Sequence, residues 1–185
     1  MSIKEIIRKK IRNERSLLSD AHVIRLSDNL LTQWMKLSNE LSYKSIALYY
    51  PFDNEASTLE IISYLHSKNK TLLLPVIQEK SNKLLFAKYY PKAELIKNHF
   101  GIFEPKEKEF FDKADIDIAL IPCVAFNNQL FRLGMGGGYY DRTFAEKKST
   151  TCIGLAYSFQ VIDEPFEEKH DIKMDYVITQ KDILR

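Results

Sequence analysis

Six glycines occur in the 185 residues, and four of them, Gly134, Gly136, Gly137 and Gly138, fall within five positions. Around them the chain reads Arg132-Leu133-Gly134-Met135-Gly136-Gly137-Gly138-Tyr139-Tyr140-Asp141-Arg142. Glycine permits φ > 0 and removes the Cβ atoms that hold a bulky anion at a distance. Ahead of a helix, such a loop aims successive N–H groups at one point, where the helix N-terminus adds partial positive charge. Phosphate suits that chemistry. Two familiar phosphate loops are excluded, because no lysine follows the glycines and Tyr139 stands where a dinucleotide fingerprint needs its third glycine.

Asp141 follows the loop at once. A carboxylate beside phosphate repels it unless a hard cation lies between them, and Mg²⁺ prefers one or two carboxylates with phosphate oxygens and water. A first-turn aspartate is also explained by the helix dipole, so a metal role needs a second carboxylate. Asp171 and Asp175 near the C-terminus are the candidates. Neither the two cysteines, Cys123 and Cys152, nor the four scattered histidines have the spacing of metal ligands or of a disulfide framework.

The elements that must hold this loop follow from periodicity. Ile3, Ile6, Ile7 and Ile11 predict an N-terminal helix whose basic residues, Arg8, Lys9, Lys10, Arg12 and Arg15, are mostly solvated on the opposite face. A second helix starts at Ser19 or Asp20 and runs through Ile24, Leu30, Leu31, Trp34 and Met35. Ser57-Thr58-Leu59-Glu60 has the form of a capping box and opens a third. Strands are predicted at 45–50, 71–76, 84–89, 116–124, 152–156 and 176–178, with a helix from 139 to 147 after the glycines. The charged stretch 91–114, broken by Pro91, Gly101 and Pro105, reads mainly as loop. Strands alternating with helices predict an α/β fold with a mainly parallel sheet.

Composition sets the outer bounds. With 45% hydrophobic and 28% charged residues the chain is ordinary globular protein, sized for a single domain spanning 1–185. No apolar run approaches a membrane span, and the first residues lack a signal core, so a cytoplasmic protein is expected. A net charge of +2 gives no reason to expect a nucleic-acid partner.

The glycine segment resembles the signature loop of the 5-formyltetrahydrofolate cyclo-ligase (methenyltetrahydrofolate synthetase) family. Other pieces agree in order and spacing: the basic helix with Lys4 and Arg8, Tyr50-Pro51-Phe52-Asp53-Asn54-Glu55 followed by Thr58, Gly101-Ile102-Phe103-Glu104-Pro105, Pro122 to Phe126, and Met174-Asp175. The resemblance implies conversion of 5-formyltetrahydrofolate to 5,10-methenyltetrahydrofolate, with ATP as co-substrate, Mg²⁺ as cofactor, and release of ADP and phosphate. The fold expected is a Rossmann-like three-layer α/β/α sandwich. By the same resemblance, ATP would be bound by Lys4, Arg8 and the run Arg132, Leu133, Gly134, Met135, Gly136, Gly137, Gly138, Tyr139 and Tyr140. Folate would meet Tyr50, Glu55, Met135, Gly136, Gly137, Gly138 and Tyr139, and Mg²⁺ would be held by Asp141 and Asp175. No membrane partner is implied, and the protein is expected as a monomer or weak homodimer.

The run Phe126-Asn127-Asn128-Gln129-Leu130-Phe131 departs from the aspartate and glycine that often precede this family's loop. Met135 is a second departure, one that alters folate fit without removing a backbone group. Two other classes remain open at this point. A sugar-phosphate isomerase or CoA-transferase-like enzyme would use the glycine loop without ATP or paired aspartates. A nucleic-acid-binding module would use the basic helix, against which the absence of interleaved aromatic residues argues.

Overall fold

The computed structural model describes residues 1–78, 80–146 and 149–185. Helix α1 (Ile3–Ser16) opens on a capping box, in which the Ser2 Oγ accepts from the Glu5 N–H and the Glu5 carboxylate accepts from the Ser2 N–H. Helix α2 (Asp20–Ser38) starts at Ser19, whose side chain accepts from the His22 N–H. Then come β1 (Ser45–Ala47), α3 (Leu59–Ser67), β2 (Thr71–Gln78) and β3 (Lys83–Tyr89). The Ser57–Glu60 capping box does not form. The buried Thr58 hydroxyl donates instead to the Tyr49 carbonyl at 2.5 Å, leaving Ser57 to accept from the Leu59 N–H.

The stretch expected as loop carries three short strands, β4 (Leu95–Lys97), β5 (Phe103–Pro105) and β6 (Phe110–Phe111). β4 and β5 pair with each other, and β6 joins the edge strand β3. Their residues are mostly part-exposed, so no apolar alternation marked them in the sequence. The chain continues with β7 (Ile118–Pro122), the small hairpin β8 (Ala125–Phe126) and β9 (Arg132–Leu133), helix α4 (Tyr139–Phe144), β10 (Thr151–Leu155), β11 (Tyr176–Ile178) and β12 (Ile183–Leu184). The end foreseen for α4 at Lys147 falls outside the described residues.

Among the described residues the main sheet has the order β12-β11-β10-β7-β1-β2-β3-β6. The five strands from β11 to β2 are parallel, and antiparallel strands close both edges. The central strands are buried on both faces. Ile46, Leu72, Leu74, Ile118, Leu120, Ile153 and Ile178 point to the side covered by α2 and α3, where Leu30, Trp34, Leu37, Ile61 and Leu65 meet them. The alternate residues Ala47, Leu73, Ala119, Ile121, Cys152 and Val177 face the other side with Phe144 of α4. Burial of a large aliphatic side chain stabilises by about 1.5–3 kcal/mol, so this two-sided alternation fixes the register of every central strand. The result is a mainly parallel α/β sandwich. No helix of the described residues is long and apolar enough to cross a membrane.

Topology then locates a crevice. From β1 the chain passes through α3 to β2 on one face, and from β7 it passes through α4 to β10 on the other. Strands β1 and β7 are neighbours whose connections diverge, the arrangement that opens a ligand site beyond the strand C-termini.

Candidate active site

Two segments leave that crevice, residues 48–58 after β1 and residues 123–138 after β7. The second carries the glycines. Gly136 has φ +105° and Gly138 has φ +63°, so both sit in backbone conformations that glycine adopts readily. Gly138 is the cap from which α4 departs. A Cβ at Gly137 would meet the Tyr139 ring at 2.8 Å, and one at Gly138 would meet the Arg142 guanidinium at 2.7 Å. Met135, Gly136 and Gly137 are exposed at the rim.

Arginines hold the loop from both sides. The Arg8 Nε donates to the Gly134 carbonyl at 2.8 Å, and its guanidinium lies 3.5 Å from the place a Gly136 Cβ would take. Arg142 donates to the Gly137 carbonyl and, at 2.9 Å, to the Asn82 carbonyl. The residue before the glycines, Leu133, is buried against α1 with Ile7 and Ile11. That small apolar contact positions Arg8, which lies one turn from Ile11 on the same helix.

Behind the loop, Arg132 and Asp141 form a buried two-point ion pair with both N···O distances 3.2 Å. Asp141 Oδ1 also accepts from the Ile172 N–H at 3.2 Å, which brings the chain beside Asp171 to the same place. Asp171 accepts from Lys4 Nζ at 2.8 Å, and Glu168 lies 3.2 Å from that ammonium. Burial works against the Lys4 charge, but hydrogen bonds to Asp171 and Glu168 outweigh it and raise its pKa. Asp175 lies four residues further on, just before β11, and its carboxylate accepts from the Cys152 N–H at 2.7 Å at the start of β10. Of the two carboxylates near the C-terminus, that of Asp171 is therefore engaged by an ammonium and that of Asp175 by a backbone N–H.

The segment after β1 turns sharply. Asp53 and Asn54 both have left-handed backbone, φ +54° and +51°. Asn54 Nδ2 donates to the Arg15 and Leu18 carbonyls at the end of α1, and Asp53 Oδ2 accepts from both Arg12 Nε and Arg15 at 2.9 Å. Glu55 follows. Its backbone carbonyl accepts from the Tyr157 hydroxyl at 3.1 Å, and one carboxylate oxygen accepts from the Phe52 N–H at 3.2 Å. Glu55 as a whole is partly exposed, yet its carboxyl end is enclosed, and that desolvation raises its pKa to about 7 against the pull of Arg15. The Glu55 charge is felt at Tyr49, Cys123, Tyr140 and Tyr157, all of which burial pushes up, Cys123 and Tyr157 to about 12. Glu55, after β1, is thus near enough to the first turn of α4 for its charge to act on Tyr140.

An aromatic wall closes the remaining side. Tyr50 packs edge-on against Phe103, Phe100 against Tyr139, and Phe52 reaches the backbone at Gly101. The segment 98–105 thus bridges the two loops, a role not foreseen for a stretch expected mainly as loop. Tyr140 stacks with Phe144 and lies under Arg132. Arg142 of the glycine motif has a role the motif alone does not assign, and Arg15, one of the basic residues expected as mostly solvated, is wholly buried. Its position one turn beyond Ile11 was the available signal.

An arrangement of this kind, with glycine backbone, carboxylates and aromatic rings brought together, has the chemistry to meet an anion and a planar polar ring. Comparison with known proteins gives the family. The family model for the 5-formyltetrahydrofolate cyclo-ligase family matches residues 1–180. The 5-formyltetrahydrofolate cyclo-ligase of Haemophilus influenzae is 35% identical over 176 residues, covering 92% of this chain and 94% of that protein. That of Escherichia coli K12 is 32% identical over 174 residues, covering 91% and 96%. The solution structure of Aquifex aeolicus 5,10-methenyltetrahydrofolate synthetase superposes with a TM-score of 0.84 at 32% identity, covering 100% of this chain and 93% of that one.

Proposed function

Because the chain belongs to the 5-formyltetrahydrofolate cyclo-ligase family and is an enzyme of it, we propose that it closes 5-formyltetrahydrofolate to 5,10-methenyltetrahydrofolate with ATP as the dehydrating co-substrate. The observation that carries this reading is the glycine loop ahead of α4, left-handed at Gly136 and Gly138 and braced by Arg8 and Arg142, with Glu55 near enough for its charge to act on the first turn of that helix. A pterin edge and a triphosphate then fit on opposite sides of one loop.

The chemistry explains the need for both. The N5-formyl group is an amide, and its oxygen is a poor leaving group. Transfer of the γ-phosphoryl group forms a bond from phosphorus to that oxygen and breaks the bond to ADP. N10 then attacks the activated carbon, the carbon–oxygen bond breaks, phosphate leaves, and the N10 proton passes to water. The protein's part is positioning and charge neutralisation. The loop from Arg132 to Tyr140 would hold the phosphates with Lys4 and Arg8. Tyr50, Glu55, Met135 and Tyr139 would hold folate, the Glu55 carboxylate accepting from the adjacent amino group and ring N–H of the pterin.

Asp141 and Asp175 are hard oxygen donors of the kind Mg²⁺ takes, whereas the Asp171 carboxylate is already paired with Lys4. Asp141 and Asp175 are the residues that would hold the ion, which when bound would neutralise charge on phosphate oxygens. The enzyme is taken to work as a single domain in the cytoplasm, as a monomer or weak homodimer, without nucleic-acid or membrane partners. Incubation of the purified protein with 5-formyltetrahydrofolate, Mg²⁺ and ATP should release one ADP per methenyl product formed, read by its absorbance. Product without ADP, or no product, overturns the proposal.

A further inference from the structure

Arg15 is the one ionisable side chain of α1 that is fully buried, at 0% exposure. One of its terminal nitrogens donates to Asp53; its Nε and other terminal nitrogen have no hydrogen-bond partner. Buried N–H groups of a cation left unpaired are costly, and an apolar side chain of similar length would anchor the helix without that cost. The charge therefore has a use beyond packing. Two acidic groups are within its influence, Asp53 and Glu55, and Asp53 is already shared with Arg12. The Asp53–Asn54 turn that precedes Glu55 has two successive left-handed residues and is tied to α1 by Arg15 at both its side chain and its carbonyl. Strain of that kind persists only where neighbours over-determine it, and it clusters at working sites.

We propose that Arg15 is a positioning residue of the folate site: from beneath the turn at 53–54 its guanidinium pins that turn and supplies the positive charge that lets Glu55 meet the pterin as an oriented carboxylate. The inference rests on the reading of Glu55 as the pterin acceptor. The groups that face Glu55 are otherwise of the wrong kind for this. Asp53 of the turn opposes its ionisation, and Tyr49 after β1, Cys123 after β7, Tyr140 of α4 and Tyr157 after β10 are neutral in the working range. Arg12 assists, but from the exposed side of α1.

The test is a cycle of Arg15→Met, Glu55→Gln and the double substitution, with Arg15→Lys beside it. Arg15→Met should raise KM for 5-formyltetrahydrofolate about tenfold or more, as loss of a charge-assisted contact does, while KM for ATP changes less than about twofold. It should also move the acid limb of the kcat/KM profile for folate upward by about one unit. Arg15→Lys should recover part of both. In the Glu55→Gln background, Arg15→Met should add less than about twofold, because the two act as one unit. A lowered Tm with folate KM and acid limb unmoved overturns the inference, as do effects that simply multiply in the double variant. If Arg15→Met does not fold, Arg15→Lys and its double with Glu55→Gln run the same cycle on the lost fork geometry. Glu55→Gln without effect on folate KM overturns the pterin assignment itself, and the inference with it.

Discussion

At the scale of single residues, Glu55 and the Arg132–Asp141 pair carry opposite electrostatic designs. Asp141 is buried with its counter-charge in two-point contact, whereas Glu55 is enclosed with its nearest cation set back in Arg15. The first arrangement is neutralised within the protein; the second awaits donors from outside. Enclosure raises the Glu55 pKa from 4.5 to about 7. A pKa raised on folding contributes stability that is complete below about 4.5 and is lost as pH climbs through 7. Glutamine at this position never ionises. Glu55→Gln should therefore leave Tm of the protein without ligands nearly unchanged at pH 4.5 and raise it by a few degrees at pH 8, while folate binding weakens. Thermal melts at the two pH values read this directly. An equal shift at both would mean that Glu55 is solvated and that the crevice is open on its side.

At the scale of elements, the six-residue helix α4 is set by its glycine start. Gly138 occupies the left-handed region, where an L side chain costs roughly 1–2 kcal/mol, and its missing Cβ leaves the space that Arg142 fills. Gly138→Ala should lower stability by about that amount and also push Arg142 off the Gly137 carbonyl, raising KM for ATP several-fold. Gly134 has no atom within 4 Å of a built Cβ and φ outside the positive range, so Gly134→Ala is the control for stability and should leave Tm near wild type. The glycine loop and α4 were legible because glycine clustering has few other uses. The central strands were legible because two-sided burial writes continuous apolar runs. What escaped was written in no period. Strands β4 to β6 are only two or three residues long, too short to show an alternation, and their pairing is set by β4 with β5 and by β6 with β3. Asp175 and Asp171 look alike in sequence and differ in the partners the fold brings them, a backbone N–H at Cys152 and the ammonium of Lys4. Arg15 looked like its solvated neighbours until the turn at 53–54 was seen to cover it.

At the scale of the whole molecule, α1 straps the crevice. Lys4 holds the segment at 168–171, Arg8 the glycine loop, and Arg12 and Arg15 the turn before Glu55. Apart from these polar ties, its packing is a small cluster in which Ile7 and Ile11 meet Val124, Ala125, Leu133, Ile162 and Phe166, set apart from the two large clusters on the sheet. Ile3 and Ile6, expected in an apolar stripe, are half exposed. An element with few apolar contacts opens at low free energy, and a ligand touching both ends of it closes that opening by mass action. At a ligand concentration of about a hundred times Kd the gain is about 2.7 kcal/mol, or roughly a hundredfold in protection. Amide exchange in α1 should therefore slow by up to that factor when Mg²⁺, a non-hydrolysable ATP analogue and 5-formyltetrahydrofolate are all present, while exchange in β7 and β10, buried on both faces, stays unchanged. Arg8→Ala should remove the part of the slowing due to nucleotide and keep the part due to folate. Equal slowing of α1 and the central strands would mean that α1 opens only with global unfolding, and it would then be a fixed wall of the site rather than its strap.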